Sequence, residues 1–178
     1  MLTDGMKITP VLLCLGLATC AAPPDEPAAQ FKPAGHHASS DKAHNEPTPY
    51  DAAADARSDI AQTLAAAKAE NKKALLVFGA NWCHDSRALA AHFEKPRFQT
   101  LISENYKLAY VDIGQKDRNI DLAQKFGVDD IVGSPTVFIT NSNGQVLNLE
   151  TAPTWRNAAS RHEYAIWDYF NGYAQRVE

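Results

Sequence analysis

The chain has 178 residues, with 17 Lys and Arg against 21 Asp and Glu, which gives a formal charge of −4 at pH 7. This acidic balance and the absence of a basic run argue against nucleic acid as a partner. The part of the chain that is not targeting segment or linker is long enough for one domain with a single core.

Residues 1–19 are predicted to be an export signal. Lys7 supplies a positive charge, and the apolar run 8–17 is too short to span a membrane comfortably as a mature helix. This segment is therefore a targeting signal and takes no part in the fold.

Residues 17–20 read Leu-Ala-Thr-Cys and resemble a bacterial lipobox, in which Cys20 would carry the lipid. Thr19 departs from the usual Gly, Ala or Ser. A lipid on Cys20 would anchor the protein to a membrane, because each buried lipid CH₂ stabilises the anchor. Ala21, in place of the Asp associated with inner-membrane retention, favours the outer membrane. The alternative is ordinary signal cleavage, for example after Ala22. Both interpretations predict a periplasmic protein.

Residues 20–51 are predicted to form a disordered tether. They are rich in Ala, Pro, Ser, His and charge, so they cannot bury enough apolar surface to offset the entropy lost on ordering. His36, His37 and His44 lie here, but no cysteine or carboxylate framework accompanies them at metal-ligand spacing. We expect solvated histidines, and we expect neither a metal nor a cofactor in this protein.

The predicted domain spans residues 52–178 and opens with a helix and a buried strand. Residues 53–71 are rich in Ala and carry apolar side chains at helical spacing, which predicts an amphipathic helix. The apolar run 74–78 is typical of a strand covered on both faces. Residues 79–81 form the turn that leaves it.

Helices and strands then alternate along the chain. A helix is predicted from Cys83 and is broken or redirected at Pro96, before a short continuation. A strand is predicted at 107–113. The helix at 120–126 should end at Gly127, whose missing Cβ suits a left-handed cap.

A hairpin and a long helix are predicted to complete the domain. Strands at 136–140 and 145–149 are joined by the turn sequence Asn-Ser-Asn-Gly. The final helix is predicted over residues 158–175. Its aromatic and apolar stripe, which we assign to the core, consists of Tyr164, Ile166, Trp167, Phe170 and Tyr173.

Cys83 is the cysteine that remains in the predicted mature protein. Cys14 lies in the signal, and Cys20 is either lipidated or removed. No internal disulfide can then form, although exported proteins usually pair their cysteines in an oxidising compartment. A single retained thiol is therefore a candidate functional group.

The order of elements and two motifs resemble the thioredoxin-like superfamily, and its exported members in particular. The motifs are Phe-Gly-Ala-Asn-Trp-Cys at 78–83 and Gly-Ser-Pro-Thr at 133–136, and the likeness extends over residues 53–178. It implies an α/β fold with a central mixed sheet flanked by helices on both faces. It also implies that Pro135 is a cis-proline beside the thiol, with the backbone of Ser134 available to an extended substrate peptide.

Three features depart from the family pattern. Ser86 replaces the second cysteine of a Cys-x-x-Cys site, which leaves a Cys-x-x-Ser monothiol variant. Val77 stands six residues before Cys83, where thioredoxins often carry a buried Asp that moves protons. The loop 128–135 is longer than in thioredoxin and is expected to reshape the groove beside the thiol. Ser86 and Val77 together argue against efficient dithiol turnover.

Cys83 is predicted to act as a nucleophile. A helix N-terminus favours negative charge and hence the thiolate. Ser86 lies three residues further on the same side, where its hydroxyl could donate to that thiolate. His84 would favour the thiolate when protonated. Trp82 is expected to cover one side of the sulfur as an apolar platform for a substrate.

A single thiol can form a mixed disulfide but cannot resolve it alone. We therefore predict monothiol exchange: disulfide shuffling, removal of small-thiol adducts, or reduction of a sulfenic acid. An external thiol or a partner reductase would complete the reaction, and the clients would be disulfide-containing or oxidised envelope proteins.

Two alternatives remain open at the level of sequence. One is a redox-inactive binding or chaperone module that uses the groove beside Trp82 and Pro135. The other, a minor one, is peroxide reduction through a sulfenic acid at Cys83, which lacks a resolving cysteine and a recognisable peroxidase motif.

Overall fold

The computed structural model describes residues 46–176. The predicted export signal, Cys20 and most of the predicted tether lie outside the described residues. Signal cleavage and lipidation therefore stay predictions.

The described part of the chain folds into helices and strands that alternate as predicted. In chain order these are α1 (Ala56–Ala69), β1 (Lys73–Gly79), α2 (His84–Phe93), α3 (Pro96–Asn105), β2 (Tyr106–Asp112), α4 (Ile120–Gln124), β3 (Thr136–Thr140) and α5 (Glu163–Ala174). Two 3₁₀ turns, Ala152–Trp155 and Ala158–Ser160, precede α5, so the last helix begins later than predicted. None of the helices within residues 46–176 has the length and apolar character needed to cross a bilayer.

Local signals set the bounds of these helices. The Asp55 side chain caps α1 by accepting a hydrogen bond from Ser58 N at 3.1 Å. Pro96 occupies the first turn of α3, where its missing N–H costs nothing, and it cannot continue the helix before it. The break predicted at Pro96 is therefore confirmed.

The sheet has the strand order β2-β1-β3, with β1 parallel to β2 and antiparallel to β3. Because β1 is central, its alternate side chains enter two separate cores. Helices cover both faces, as the predicted fold class requires. On one face, β1 packs with α2, α3 and α5 through Leu75, Val77, Leu89, Phe93, Phe98, Leu101, Ile166, Phe170 and Tyr173. On the other, it packs with α1 and α4 through Leu76, Phe78, Ile60, Ala67, Leu122 and Ala123.

The predicted aromatic stripe of the last helix is partly wrong. Tyr164 is 65% exposed, and its ring stacks on His162 instead of entering the core. The 3₁₀ turn before α5 supplies a large aromatic that the sequence pattern did not reveal, since Trp155 is fully buried and stacks on Phe170 with ring centroids 4.9 Å apart.

The second strand of the predicted hairpin does not form, so that prediction is wrong. Residues 145–149 make a single bridge to β3. Beyond this bridge the Asn148 side chain makes the hydrogen bonds to β3 that a second strand would make. Its Oδ1 accepts from Ile139 N and its Nδ2 donates to the Val137 carbonyl, both at 2.8 Å. A side-chain amide offers the same donor and acceptor as a peptide group, so it satisfies this edge of β3 without a strand.

The core begins before the predicted domain boundary at residue 52. Tyr50 is 2% exposed and belongs to the same cluster as Leu75 and Val77. Its ring meets that of Tyr110 edge to face, with centroids 5.3 Å apart. The end of the segment assigned to the tether thus packs on the domain, because one aromatic side chain in it finds a place in the core.

Asn148→Ala should destabilise the protein, because it leaves the Ile139 N–H and the Val137 carbonyl without their partner in a buried place. Each such group costs about 1–3 kcal/mol. We expect the free energy of unfolding, measured with urea, to fall by about 2–6 kcal/mol. Asn143→Ala, at an exposed position of the turn that follows β3, is the control and should change it by less than about 0.5 kcal/mol. Equal stability of the two variants would contradict this account of the β3 edge.

Candidate functional site

Cys83 lies where the carboxyl end of β1 leads into the amino end of α2. It is the N-cap residue of α2, and its carbonyl accepts a hydrogen bond from Arg87 N at 3.1 Å. Among residues 46–176 it is the only cysteine, and it is a free thiol with 9% of its surface exposed. The prediction that Cys83 lies at the amino end of a helix is therefore confirmed.

The sulfur of Cys83 contacts the loop before β3. Its Sγ donates to the Ser134 carbonyl at 3.2 Å and makes no capping hydrogen bond to α2. The Ser134–Pro135 peptide bond is cis, as the resemblance implied. Because the hydrogen bond to Ser134 requires a proton on sulfur, the thiol must lose both the proton and this contact before it attacks a disulfide.

Ser86 is fully buried and pairs with Ser134. The two hydroxyl oxygens lie 2.8 Å apart, and either can be the donor. In this thiol state the sulfur and the Ser86 hydroxyl each have a partner on Ser134, so the hydrogen bond predicted from Ser86 to the thiolate stays a prediction. One residue of the loop thus holds both Cys83 and Ser86.

Trp82 is half exposed beside the thiol. Its Nε1 donates to the Gly114 carbonyl at 2.7 Å, which fixes the indole against the loop that follows β2. The indole forms part of the wall of a groove of about 380 Å³, together with Tyr50, Asn81 and Arg118. Its use as a platform for a substrate stays a prediction.

His84 is exposed at the amino end of α2 and faces a carboxylate. Its Nδ1 lies 3.5 Å from Glu46 Oε2, and Arg87 Nη1 lies 3.6 Å from the same oxygen. Glu46 is largely buried by these contacts. Sequence reasoning missed it because its surroundings have the composition of a tether.

The turn around the thiol is fastened on both sides. The Asn81 side chain donates to the Tyr50 carbonyl at 2.7 Å and accepts from Tyr50 N at 3.1 Å. On the other side, Asp85 Oδ1 accepts from Ala159 N at 2.8 Å. Ser86, which pairs with Ser134, adds a third such contact. Asn81, Asp85 and Ser86 therefore bind three segments that are distant in sequence.

Tyr50 and Ser86 meet beneath the thiol, against the backbone of Gly79. A Cβ built on Gly79 would lie 2.6 Å from Ser86 Oγ and 2.6 Å from Tyr50 Oη, so the two oxygens are neighbours. Burial raises the pKa of Tyr50 well above its usual range; Tyr110 acts in the same direction and the Ser86 hydroxyl opposes it. The Tyr50 phenol therefore stays protonated at neutral pH and keeps its donor.

The loop before Pro135 divides its apolar residues between core and surface. Ile131 is buried against α1, α4 and the sheet, whereas Val132 is 60% exposed. Val132 also lines a shallow cavity of about 360 Å³ with Arg156 and Arg161. Within residues 46–176, no three His, Cys, Asp or Glu side chains are grouped so that they could hold a metal ion.

Comparison with known proteins identifies the family. Residues 55–142 match a family model described as thioredoxin-like. A crystal structure of a disulphide isomerase from Xylella fastidiosa Temecula1 is similar to this chain with a TM-score of 0.68 and 36% sequence identity, over 72% of this chain and 98% of that one. The chain belongs to the thioredoxin-like family.

Other solved structures are more distant from this thioredoxin-like protein. An HIV epitope scaffold shares 17% identity with a TM-score of 0.40, over 68% of this chain and 86% of that one. A protein of unknown function from Pseudomonas aeruginosa shares 21% identity with a TM-score of 0.39, over 65% and 82%. No curated protein sequence gives a significant match.

Two of the three departures from the thioredoxin pattern, Val77 and Ser86, have direct structural counterparts. Val77 is fully buried in the core that contains Tyr50, so this position holds no group that could move a proton. Ser86 fills the place of the second thiol and is held by Ser134. The thioredoxin-like site therefore contains one sulfur and a buried set of hydroxyls.

Gly79→Ala should destabilise this thioredoxin-like domain, because the new Cβ would overlap Ser86 Oγ and Tyr50 Oη. Both side chains are buried, and overpacking a core costs about 1–3 kcal/mol. We expect a loss of that size in urea denaturation. Gly172→Ala is the matched control: a Cβ there meets nothing within 4 Å, and Ala favours a helix over Gly by about 1 kcal/mol. A Gly79→Ala protein as stable as Gly172→Ala would show that the two hydroxyls do not press on Gly79.

Proposed function

We propose that this thioredoxin-like protein carries out monothiol thiol–disulfide exchange through Cys83. The observation that carries the proposal is a free cysteine at the amino end of α2, bonded to the residue before a cis-proline, with a buried Ser86 in place of a second thiol. The disulphide isomerase that resembles 72% of the chain supports the same class of reaction.

In the first step, one half of a client disulfide, the R–S group, is transferred to Cys83. Cys83 gives up its proton, and the thiolate attacks one sulfur of a client disulfide, R–S–S–R′. The bond between Cys83 and R–S forms as the R–S–S–R′ bond breaks, and R′–S⁻ leaves with the electron pair and takes up a proton. Ser86 cannot resolve the mixed disulfide, because a hydroxyl does not form a bond to sulfur in this exchange.

The second step needs a thiol from outside the site. A thiol R″–SH loses its proton and attacks the client sulfur of the mixed disulfide, which gives R–S–S–R″ and returns Cys83 as a thiolate that regains a proton. When R″ is another cysteine of the client, the reaction shuffles disulfides without net oxidation. When it belongs to a small molecule or a partner reductase, the same step begins the reduction of the client.

Exported clients are part of this proposal. Disulfide-containing or oxidised envelope proteins are the substrates that an oxidising compartment supplies. The apolar run of the N-terminal signal and the lipobox-like segment ending at Cys20 support a periplasmic location on a lipid anchor. The exposed Trp82 and Val132 provide apolar surface for an extended or partly unfolded chain.

Wild-type protein should form a mixed disulfide with oxidised glutathione at neutral pH, and Cys83→Ala should form none at this position. The reason is that the only nucleophilic sulfur of residues 46–176 is removed. Mass spectrometry of the peptide that contains Cys83 measures the adduct directly, so Cys14 and Cys20 do not affect the result.

The same pair of variants separates exchange from groove binding. Envelope proteins captured through a disulfide should appear on non-reducing gels with wild type and disappear with Cys83→Ala. Partners that persist with Cys83→Ala would favour a redox-inactive binding module, and a wild-type thiol inert to disulfides would contradict the exchange proposal.

Ser86→Cys should convert the site to a dithiol and confer catalytic reduction of insulin by dithiothreitol. We expect a gain on the order of tenfold or more over wild type, because an intramolecular thiol replaces a bimolecular step. Ser86→Ala, which removes the hydroxyl without adding sulfur, is the control and should show no gain. Failure of a folded Ser86→Cys protein to gain activity would mean that more than the resolving thiol is missing.

A further inference from the structure

The exchange steps make no use of the buried hydroxyl of Tyr50. This side chain is almost fully buried, and its Oη makes no hydrogen bond of good geometry to a described residue in the thiol state, although Ser86 Oγ lies near enough to lower the pKa of the phenol. An unpaired buried hydroxyl costs about 1–3 kcal/mol, and native proteins rarely leave one without a role. The residue lies before the predicted domain boundary at residue 52, outside the two motifs that carry the family resemblance.

Tyr50 stands at one end of a line of polar groups that leads to the thiol. Its Oη and Ser86 Oγ flank the same point above Gly79. Ser86 Oγ pairs with Ser134 Oγ at 2.8 Å, and the Ser134 carbonyl accepts from Cys83 Sγ. The order is therefore phenol, Ser86, Ser134 and sulfur.

The segment that carries Tyr50 is fixed against the site. Its backbone makes two hydrogen bonds with the side chain of Asn81, and Glu46 contacts His84 and Arg87. The phenol is therefore held in place from both its ring and its backbone.

We propose that Tyr50 is a positioning residue for Cys83 that acts through Ser86. This inference rests on the monothiol exchange proposed above. A serine hydroxyl has one donor and two acceptor positions. When Tyr50 donates its proton to Ser86 Oγ, the Ser86 proton must point away from the phenol, toward Ser134 Oγ.

Ionisation of Cys83 is the event for which this orientation matters. The thiolate can no longer donate to the Ser134 carbonyl, and it needs a hydrogen-bond donor because Cys83 is largely buried. The Ser86 proton that Tyr50 turns away from the phenol can move from Ser134 Oγ to the thiolate, since Cys83 lies three residues earlier on the same side of α2. A hydrogen bond received by Ser86 strengthens the one it gives. The hydroxyls of Tyr50 and Ser86 thus stabilise the Cys83 thiolate in a site that has neither a second thiol nor the buried Asp of dithiol thioredoxins.

Tyr50→Phe tests the inference because it keeps the ring and removes the oxygen. At pH 7 the rate of Cys83 alkylation by monobromobimane should fall by about two- to tenfold, the effect of one hydrogen bond. The midpoint of the pH–rate profile should move to higher pH. Stability should stay the same or rise, because the lost hydroxyl had no partner. A purely structural role for Tyr50 would change stability and leave the profile unchanged.

Tyr110→Phe is the matched control. Its ring packs against that of Tyr50, and among residues 46–176 no hydrogen bond joins its hydroxyl to Ser86 or Cys83. It should leave both the rate and the profile unchanged. In a Ser86→Ala background, Tyr50→Phe should have no further effect, because the group through which it acts is gone.

Two results would overturn the inference: a folded Tyr50→Phe protein whose profile superposes on that of wild type, or full additivity with Ser86→Ala. If Tyr50→Phe does not fold, fluorotyrosine at position 50 replaces it. Its more acidic phenol should shift the midpoint to lower pH, and no shift would again contradict the inference. Alkylation requires only the thiolate, so this test stands even if Cys83 proves inert to disulfides and the exchange proposal fails.

Discussion

Ser134 accepts a hydrogen bond from Cys83 through its carbonyl and pairs with Ser86 through its hydroxyl. The rest of the site depends on this junction between the loop before β3 and the first turn of α2. The sheet explains why the two segments meet. Thr136 at the start of β3 pairs with Phe78 near the carboxyl end of β1, and the chain turns from that end into α2. Antiparallel pairing thus brings a loop that lies far along the sequence onto the thiol.

The junction also decides which polar groups surround the sulfur. Val77 keeps the position beneath it apolar, so the polar partners come from the loop, from Ser86 and from Tyr50. Hydroxyls in a place of low dielectric interact strongly when paired and are costly when unpaired. The Tyr50 hydroxyl has no partner in the thiol state, so it lowers the stability of the folded protein. Functional sites often reduce stability in this way.

Much of the fold could be predicted from the sequence, because its signals are local. The continuous apolar run that became β1, the proline that starts α3 and the motif around Cys83 each act over a few residues. The strand predicted at 145–149 failed for the opposite reason. Whether a strand or an Asn148 side chain satisfies the edge of β3 depends on where that amide lies in space, which alternation of residue types does not reveal.

The sequence by itself determined the family resemblance, a thiol at a helix N-terminus and the serine in place of a second active-site cysteine, since these follow from motifs and from residue identity. Only the tertiary structure decided that Ser86 binds Ser134, 48 residues away, and that Tyr50 enters the core from a segment with the composition of a tether. Composition predicts whether a segment can fold alone. It does not predict that one aromatic side chain will dock on a neighbouring domain, because the docking surface is made by residues distant in sequence.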